Sequence, residues 1–192
     1  MTRHFSDEDA IVVVDVQNDF CPGGALEVPR GDEVVPVLNN WIDAARQEGA
    51  IIVASRDWHP AGHVSFEKRG GPWPPHCIRN TSGAAFHPDL DLPEDVWIIS
   101  KGESLDSDEY SAFDRTGLAE RLNDAGVVRV WIGGLAMDVC VRQTVLDGAK
   151  KGFEVHLLLD ATRAIDSEPG DRDKALEEMK NAGAIIEEGR TP

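Results

Sequence analysis

Short apolar runs rich in Val and Ile recur along the chain and alternate with stretches of helical period. The runs fall at 10–14, 50–54, 96–100, 127–132, 154–159 and 184–186. Each is nearly continuous in apolar residues, as in strands covered on both faces. The segment 33–48 sets Val34, Val37, Leu38, Trp41, Ile42 and Ala45 on one side of a helix, and Gly49 follows it. Helical patterns over 114–124, 138–151 and 171–182 are followed by Gly126, Gly152 and Gly183. The alternation predicts a three-layer, doubly wound α/β/α fold with a mostly parallel sheet of about six strands. No repeat, low-complexity tract or linker interrupts it, so residues 1–192 read as a single domain. One stretch, 57–95, is rich in Pro, Gly and His and has no period. A long irregular segment inside a compact domain is usually functional.

Composition narrows the partners. A hydrophobic fraction of 41% with 28% charged residues suits a soluble globular chain. The formal net charge of −16 repels nucleic acid and anionic membranes, which leaves a small neutral molecule as the easier ligand. The 3 cysteines, Cys21, Cys77 and Cys140, are odd in number and scattered, so no disulfide framework fits them. The first ten residues carry no apolar signal core, and no apolar run is long enough to span a bilayer. A reducing cytoplasm is the expected setting. Monomer and homodimer both stay open.

Ligands of open α/β sheets bind beyond the carboxyl ends of the strands. Here Asp15 follows the first run, Asp57 and His59 the second, Lys101 the third and Asp160 the fifth. Cys140 lies in the first helical turn after the fourth. A helix N-terminus favours a thiolate, and its N–H groups can hold the oxyanion of acyl transfer. The alternative for Cys140 is a buried small hydrophobe. Asp160 reads as a cap or a surface charge. Asp15 and Lys101 abut strongly apolar runs. A desolvated carboxylate can take a thiol proton, and a lysine can keep that carboxylate charged.

A second constellation is local. Asp57-Trp58-His59-Pro60-Ala61-Gly62-His63 is followed by His76 in Trp73-Pro74-Pro75-His76-Cys77. Carboxylate and imidazole donors suit one divalent ion, Zn, Fe or Mn. Asp-x-His spacing lets alternate side chains converge from an extended segment. His63 reads either as a ligand or as a hydrogen-bonding neighbour of one. His4 and His87 stand apart and read as structural.

Taken together, these motifs resemble the nicotinamidases (pyrazinamidases) among the isochorismatase-like cysteine hydrolases. The likeness rests on Asp15-Val16-Gln17-Asn18-Asp19-Phe20-Cys21-Pro22-Gly23-Gly24, Asp57-Trp58-His59-Pro60, Ser100-Lys101-Gly102, Tyr110-Ser111-Ala112-Phe113 and Gly134-Leu135-Ala136-Met137-Asp138-Val139-Cys140-Val141. It covers nearly the whole chain. The resemblance implies Asp15 as acid/base, Lys101 as its charge partner and Cys140 as nucleophile. It implies the N–H groups of Ala136 and Cys140 as oxyanion donors, with a cis peptide before Ala136. It implies Asp57, His59 and His76 as metal ligands, with His63 a fourth. Phe20, Trp73 and Tyr110 would contact a flat aromatic amide. Met137 replaces the family's commoner threonine, and the 101–110 loop differs in length from some relatives. Two other readings remain: a metal-independent amidase of the same fold acting on another small carbamoyl or amide compound, and a non-catalytic metal-binding protein.

Overall fold

The structure is a computed structural model, and residues 5–189 are described. Six strands form one sheet: β1 (Asp9–Val14), β2 (Ile51–Asp57), β3 (Trp97–Lys101), β4 (Arg129–Leu135), β5 (Glu154–Arg163) and β6 (Ile185–Glu187). Their order is β3-β2-β1-β4-β5-β6, and every neighbouring pair is parallel. The sheet is therefore wholly parallel among the described residues. The chain builds β2 and β3 to one side of β1, then crosses to build β4, β5 and β6 on the other. The order reverses between β1 and β4, and that reversal opens a crevice at their carboxyl ends.

Alternation along β1 feeds both faces. Ile11 and Val13 pack with Leu38, Trp41 and Ile42 of α1 (Val34–Gln47). Ala10, Val12 and Val14 pack with Leu118 and Leu122 of α2 (Leu118–Asp124), Val145 of α3 (Arg142–Lys150) and Met179 of α4 (Asp171–Asn181). These are the three layers. At the amino edge of the sheet, the fully buried Asp9 accepts hydrogen bonds from Arg129 Nη2 at 2.7 Å, Arg129 Nε at 2.8 Å and Trp131 Nε1 at 2.9 Å.

Several boundaries differ from the periodic reading. α2 starts only at Leu118, because Arg115 (φ 56°) and Gly117 (φ 72°) turn the chain through the left-handed region first. α3 is preceded by a turn of π-helix, Met137–Val141, and Cys140 lies in that turn. Asp57 and Lys101 are the last residues of β2 and β3 rather than the first beyond them. Asp160 lies inside β5, where the register against β4 shifts; it is exposed and accepts the Gly189 N–H at 2.6 Å. That is a surface charge, as its position suggested. Gly134 (φ 119°) lets β4 approach β1, since a Cβ there would meet Val14 O at 2.1 Å. His4 falls outside the described residues. No described helix is long and apolar enough to cross a membrane.

Candidate active site

The crevice between β1 and β4 gathers the three groups that the motifs singled out. Lys101 Nζ lies 2.8 Å from Asp15 Oδ2 and donates to Cys140 Sγ at 3.5 Å. It also forms a short ion pair with Asp57 Oδ1. Asp15 stands just past β1 at φ 50°, a backbone region that a non-glycine residue holds only where its surroundings fix it. Its N–H donates to Ser55 O, and Ser55 Oγ donates to its Oδ1 at 2.7 Å. Apart from the ion pair, Asp15 Oδ2 receives no hydrogen bond, which leaves a lone pair open to a thiol proton. The Cys140 sulfur and the Asp15 and Asp57 carboxylates lie within 4.8 Å of one another.

Burial dominates the electrostatics here. It raises the Asp15 pKa, and the Asp57 charge adds to the rise, more than Lys101 and Ser55 lower it. Burial works against the Lys101 charge, but Asp15 and Asp57 outweigh it and hold the ammonium well above its usual range. Burial also raises Cys140 well above a free thiol; Lys101 opposes this, and Asp15 and Asp57 add to it. These directions favour a thiol over a thiolate at the helix start, beside a carboxylate with raised affinity for its proton.

The second group adjoins the first through Asp57. Donor atoms of Asp57, His59 and His76 lie within 4.8 Å of one another, and all three residues are buried. His59 Nδ1 pairs with Gly102 O at 2.9 Å, and His76 Nδ1 with Pro74 O at 2.7 Å. A carbonyl can only accept, so each Nδ1 carries a proton and each Nε2 is the ring atom left to face Asp57 or a cation. Those Nε2 atoms face Asp57 Oδ2 at 3.4 and 3.8 Å. A carboxylate oxygen and two imidazole Nε2 atoms converging in this way make a donor set that fits a divalent cation. Gly102 makes room for it, since a Cβ there would lie 2.3 Å from His59 Cε1.

His63 does not join the set. Its Nδ1 pairs with Ser65 Oγ at 2.7 Å and its Nε2 with Ser107 O at 2.9 Å, so both ring nitrogens are taken. The ring instead stacks on His59 with centroids 4.1 Å apart. These contacts match the reading of His63 as a hydrogen-bonding neighbour of the set.

Both groups open on one small, narrow pocket. Phe20, Trp73, Tyr110, Ala136 and Cys140 line it together with Asp57 and His76. Trp73 Nε1 donates to Tyr110 Oη at 3.1 Å, and the Phe20 ring lies 5.5 Å from that of His76. The Leu135–Ala136 peptide is cis, as the resemblance implies. Sequence reasoning missed Leu26, Val139 and Ile165 on the pocket wall. It also missed Ser55 and Gln17, whose side chain clamps the Asp57 backbone N–H and C=O at 2.8 Å each. A serine breaking an apolar run and a glutamine near Asp15 were the available signals. Leu26 and Ile165 left none.

A thiol, a carboxylate and a lysine at the carboxyl edge of a parallel sheet are the parts of a cysteine hydrolase of the α/β class. Comparison narrows the class. Residues 9–190 match the family described as the Isochorismatase domain, and the chain belongs to that family. It is 39% identical to the nicotinamidase of Escherichia coli (strain K12), over 92% of this chain and 93% of that one. Among solved structures it resembles the pyrazinamidase of Pyrococcus horikoshii in complex with zinc, at 53% identity and a TM-score of 0.90, covering 94% of this chain and 99% of that one. It also resembles PnC1 from L. infantum in complex with nicotinate, at 37% identity and a TM-score of 0.87, covering 95% and 94%.

Proposed function

We propose that the protein is a metal-dependent amidase that converts nicotinamide and water to nicotinate and ammonia, and accepts pyrazinamide as well. One observation carries the reading. The Asp15–Lys101–Cys140 group and the Asp57–His59–His76 group are joined by the Lys101–Asp57 ion pair and open on the same aromatic-walled pocket. The nicotinamidases and pyrazinamidases among its relatives support the substrate.

The flat ring enters between Phe20 and Trp73, with Tyr110 at its edge, and the amide carbon comes to Cys140. Asp15 takes the thiol proton as sulfur attacks that carbon. The N–H groups of Ala136 and Cys140 hold the oxyanion, each donor contributing about 3 kcal/mol. Asp15 returns the proton to the amide nitrogen as the C–N bond breaks, which releases ammonia and leaves a thioester on Cys140. Asp15 then deprotonates a water that attacks the thioester carbon; as the C–S bond breaks Asp15 returns that proton to the sulfur, and the acid released ionises to nicotinate. Lys101 favours the anionic form of Asp15 before each proton abstraction. A divalent ion held by Asp57, His59 and His76 supplies Lewis acidity toward the ring nitrogen and toward water. Zinc suits two imidazoles and a carboxylate, and iron or manganese suits them as well. A reducing cytoplasm suits the three free cysteines.

Ammonia release from nicotinamide and from benzamide, which has the same amide without the ring nitrogen, tests this reading. Metal-loaded protein should strongly prefer nicotinamide, and a chelator should abolish the preference. Equal turnover of both amides, or full nicotinamide turnover after chelation, would instead identify a metal-independent amidase.

A further inference from the structure

We propose that Asp138 is a positioning residue that sets which ring substituents the pocket admits, by holding Ile165 against the turn that carries the nucleophile. The proposal deepens the nicotinamidase reading and rests on it.

Asp138 belongs to the π turn Met137–Val141 but does not line the ring pocket. Its carboxylate reaches across to the segment that follows β5. Oδ1 accepts the Ile165 N–H at 2.9 Å, and Oδ2 accepts the Asp166 N–H at 2.7 Å. These are consecutive amides, and Asp166 sits at φ 53°. Successive N–H groups beside a left-handed residue form a concave seat for an anion, here filled by a carboxylate. Bonds from amides to a charged acceptor are shorter and stronger than neutral ones.

The remaining contacts of the segment run the other way. Arg172 N–H donates to Asp166 Oδ1 at 3.1 Å, and Glu168 N–H donates to Asp171 Oδ2 at 3.0 Å. Those bonds tie the segment to the start of α4. Among the hydrogen bonds of the described residues, Asp138 is its tie to the nucleophile turn. Ile165, next to the tie, forms pocket wall together with Phe20, Trp73 and Val139. Without the carboxylate the segment follows α4, Ile165 backs away, and the ring loses a wall while Cys140 keeps its place. A carboxylate outside the pocket thus governs an apolar contact inside it.

The test uses metal-loaded wild type, Asp138→Ala, Asp138→Asn, Ile165→Ala and the Asp138→Ala/Ile165→Ala double variant. The substrates are nicotinamide and the monomethylnicotinamides with the methyl on each ring carbon in turn. A pocket contact of methyl size is worth about 10–200-fold in discrimination. Asp138→Ala should raise KM for nicotinamide more than it lowers kcat. It should also relax discrimination against the same methyl isomer that Ile165→Ala admits. The double variant should add little to the stronger single one, because both act through one wall. Asp138→Asn, which keeps one acceptor oxygen, should fall between wild type and Asp138→Ala. Two readouts do not depend on substrate. Hydrogen exchange should speed up at residues 165–168 in Asp138→Ala, and alkylation of Cys140 by iodoacetamide should keep its wild-type rate. Unchanged exchange, fully additive effects in the double variant, or a loss confined to kcat with discrimination intact would each overturn the proposal. Wild type inert toward nicotinamide would instead defeat the substrate assignment, and the exchange measurement would still decide whether Asp138 holds the segment.

Discussion

Replacing Lys101 with methionine removes the cation that, among the described residues, Asp15, Asp57 and Cys140 share. Lys101 is 1% exposed and sits 2.8 Å from Asp15 Oδ2, with Asp57 Oδ1 in direct contact. At an effective dielectric near 20, unit charges that far apart attract by about 6 kcal/mol. Desolvation of the ammonium offsets part of this, so the expected loss is the about 3–5 kcal/mol typical of removing one partner from a buried pair. The remaining carboxylates lie within 4.8 Å of each other and lose their common counter-charge. Burial already raises Asp15, so Asp15 is the one that takes a proton. A protonated Asp15 cannot accept the thiol proton, and turnover should fall by about 10²–10⁴-fold. The assay pairs denaturant unfolding of the metal-loaded protein with ammonia release from nicotinamide. Adding Asp15→Asn to Lys101→Met should recover part of the lost stability and none of the lost activity. A Lys101→Met protein within about 1 kcal/mol of wild-type stability, or a double variant less stable than Lys101→Met alone, would refute this account of the buried charges.

Three further perturbations test separate parts of the molecule. Cys140→Ala should lower nicotinamide turnover by at least about 10⁴-fold while Trp73 fluorescence still reports ring binding; substantial hydrolysis would rule out a thioester. His59→Ala and His76→Ala should each weaken metal binding by more than the about 10–100-fold typical of a residue that only supports a ligand, and His63→Ala should stay within that range in chelator-competition titrations. Equal losses at His63 and His59 would make His63 a ligand after all. Asp9→Asn should destabilise the fold by about 3 kcal/mol at neutral pH, because Arg129 loses its charge partner and only one of the two acceptor oxygens remains. Burial opposes the Asp9 charge, but these hydrogen bonds outweigh it and hold its pKa below 3.8. A lowered carboxylate contributes stability that is complete above its unfolded pKa and lost as pH falls through the folded one. The gap between wild type and Asp9→Asn should therefore be constant above about pH 5 and narrow below about pH 4, and a gap that widens in acid would contradict it.

The sheet was legible because strands buried on both faces cannot be anything but apolar, and each run from Ile11 to Ile186 betrays its strand. Where a polar group ended a run, the position alone placed it at the carboxyl edge, as for Asp15, Asp57 and Lys101. Helix starts were less legible. Nothing in the composition of 114–117 announces that Arg115 turns left-handed, and the π turn at Cys140 has the same apolar spacing as an α turn. His63 shows a different limit. Spacing brought it near His59 and His76, but its two partners, Ser65 and the Ser107 carbonyl, decide its role, and Ser107 lies in a distant loop. The pocket walls Leu26 and Ile165 were silent for the same reason. An apolar residue in a loop carries no mark of what it will face.

Asp57 explains why the chemistry of this site cannot be divided into a metal half and a thiol half. Its Oδ2 faces the Nε2 atoms of His59 and His76, and its Oδ1 contacts Lys101. The carboxylate is held well below the usual range even though burial pushes it up, because Lys101, His59 and His76 together outweigh burial. Burial raises Asp15 and the Asp57 charge adds to it, while Lys101, which also pairs with Asp57, opposes the rise without cancelling it. A lysine paired with Asp15 alone would depress it and make a poorer base. Drawing negative charge from Asp57 toward a bound cation would return Lys101 to Asp15. A cation bound by the neighbouring donors would thus lower the affinity of Asp15 for the thiol proton, through two side chains.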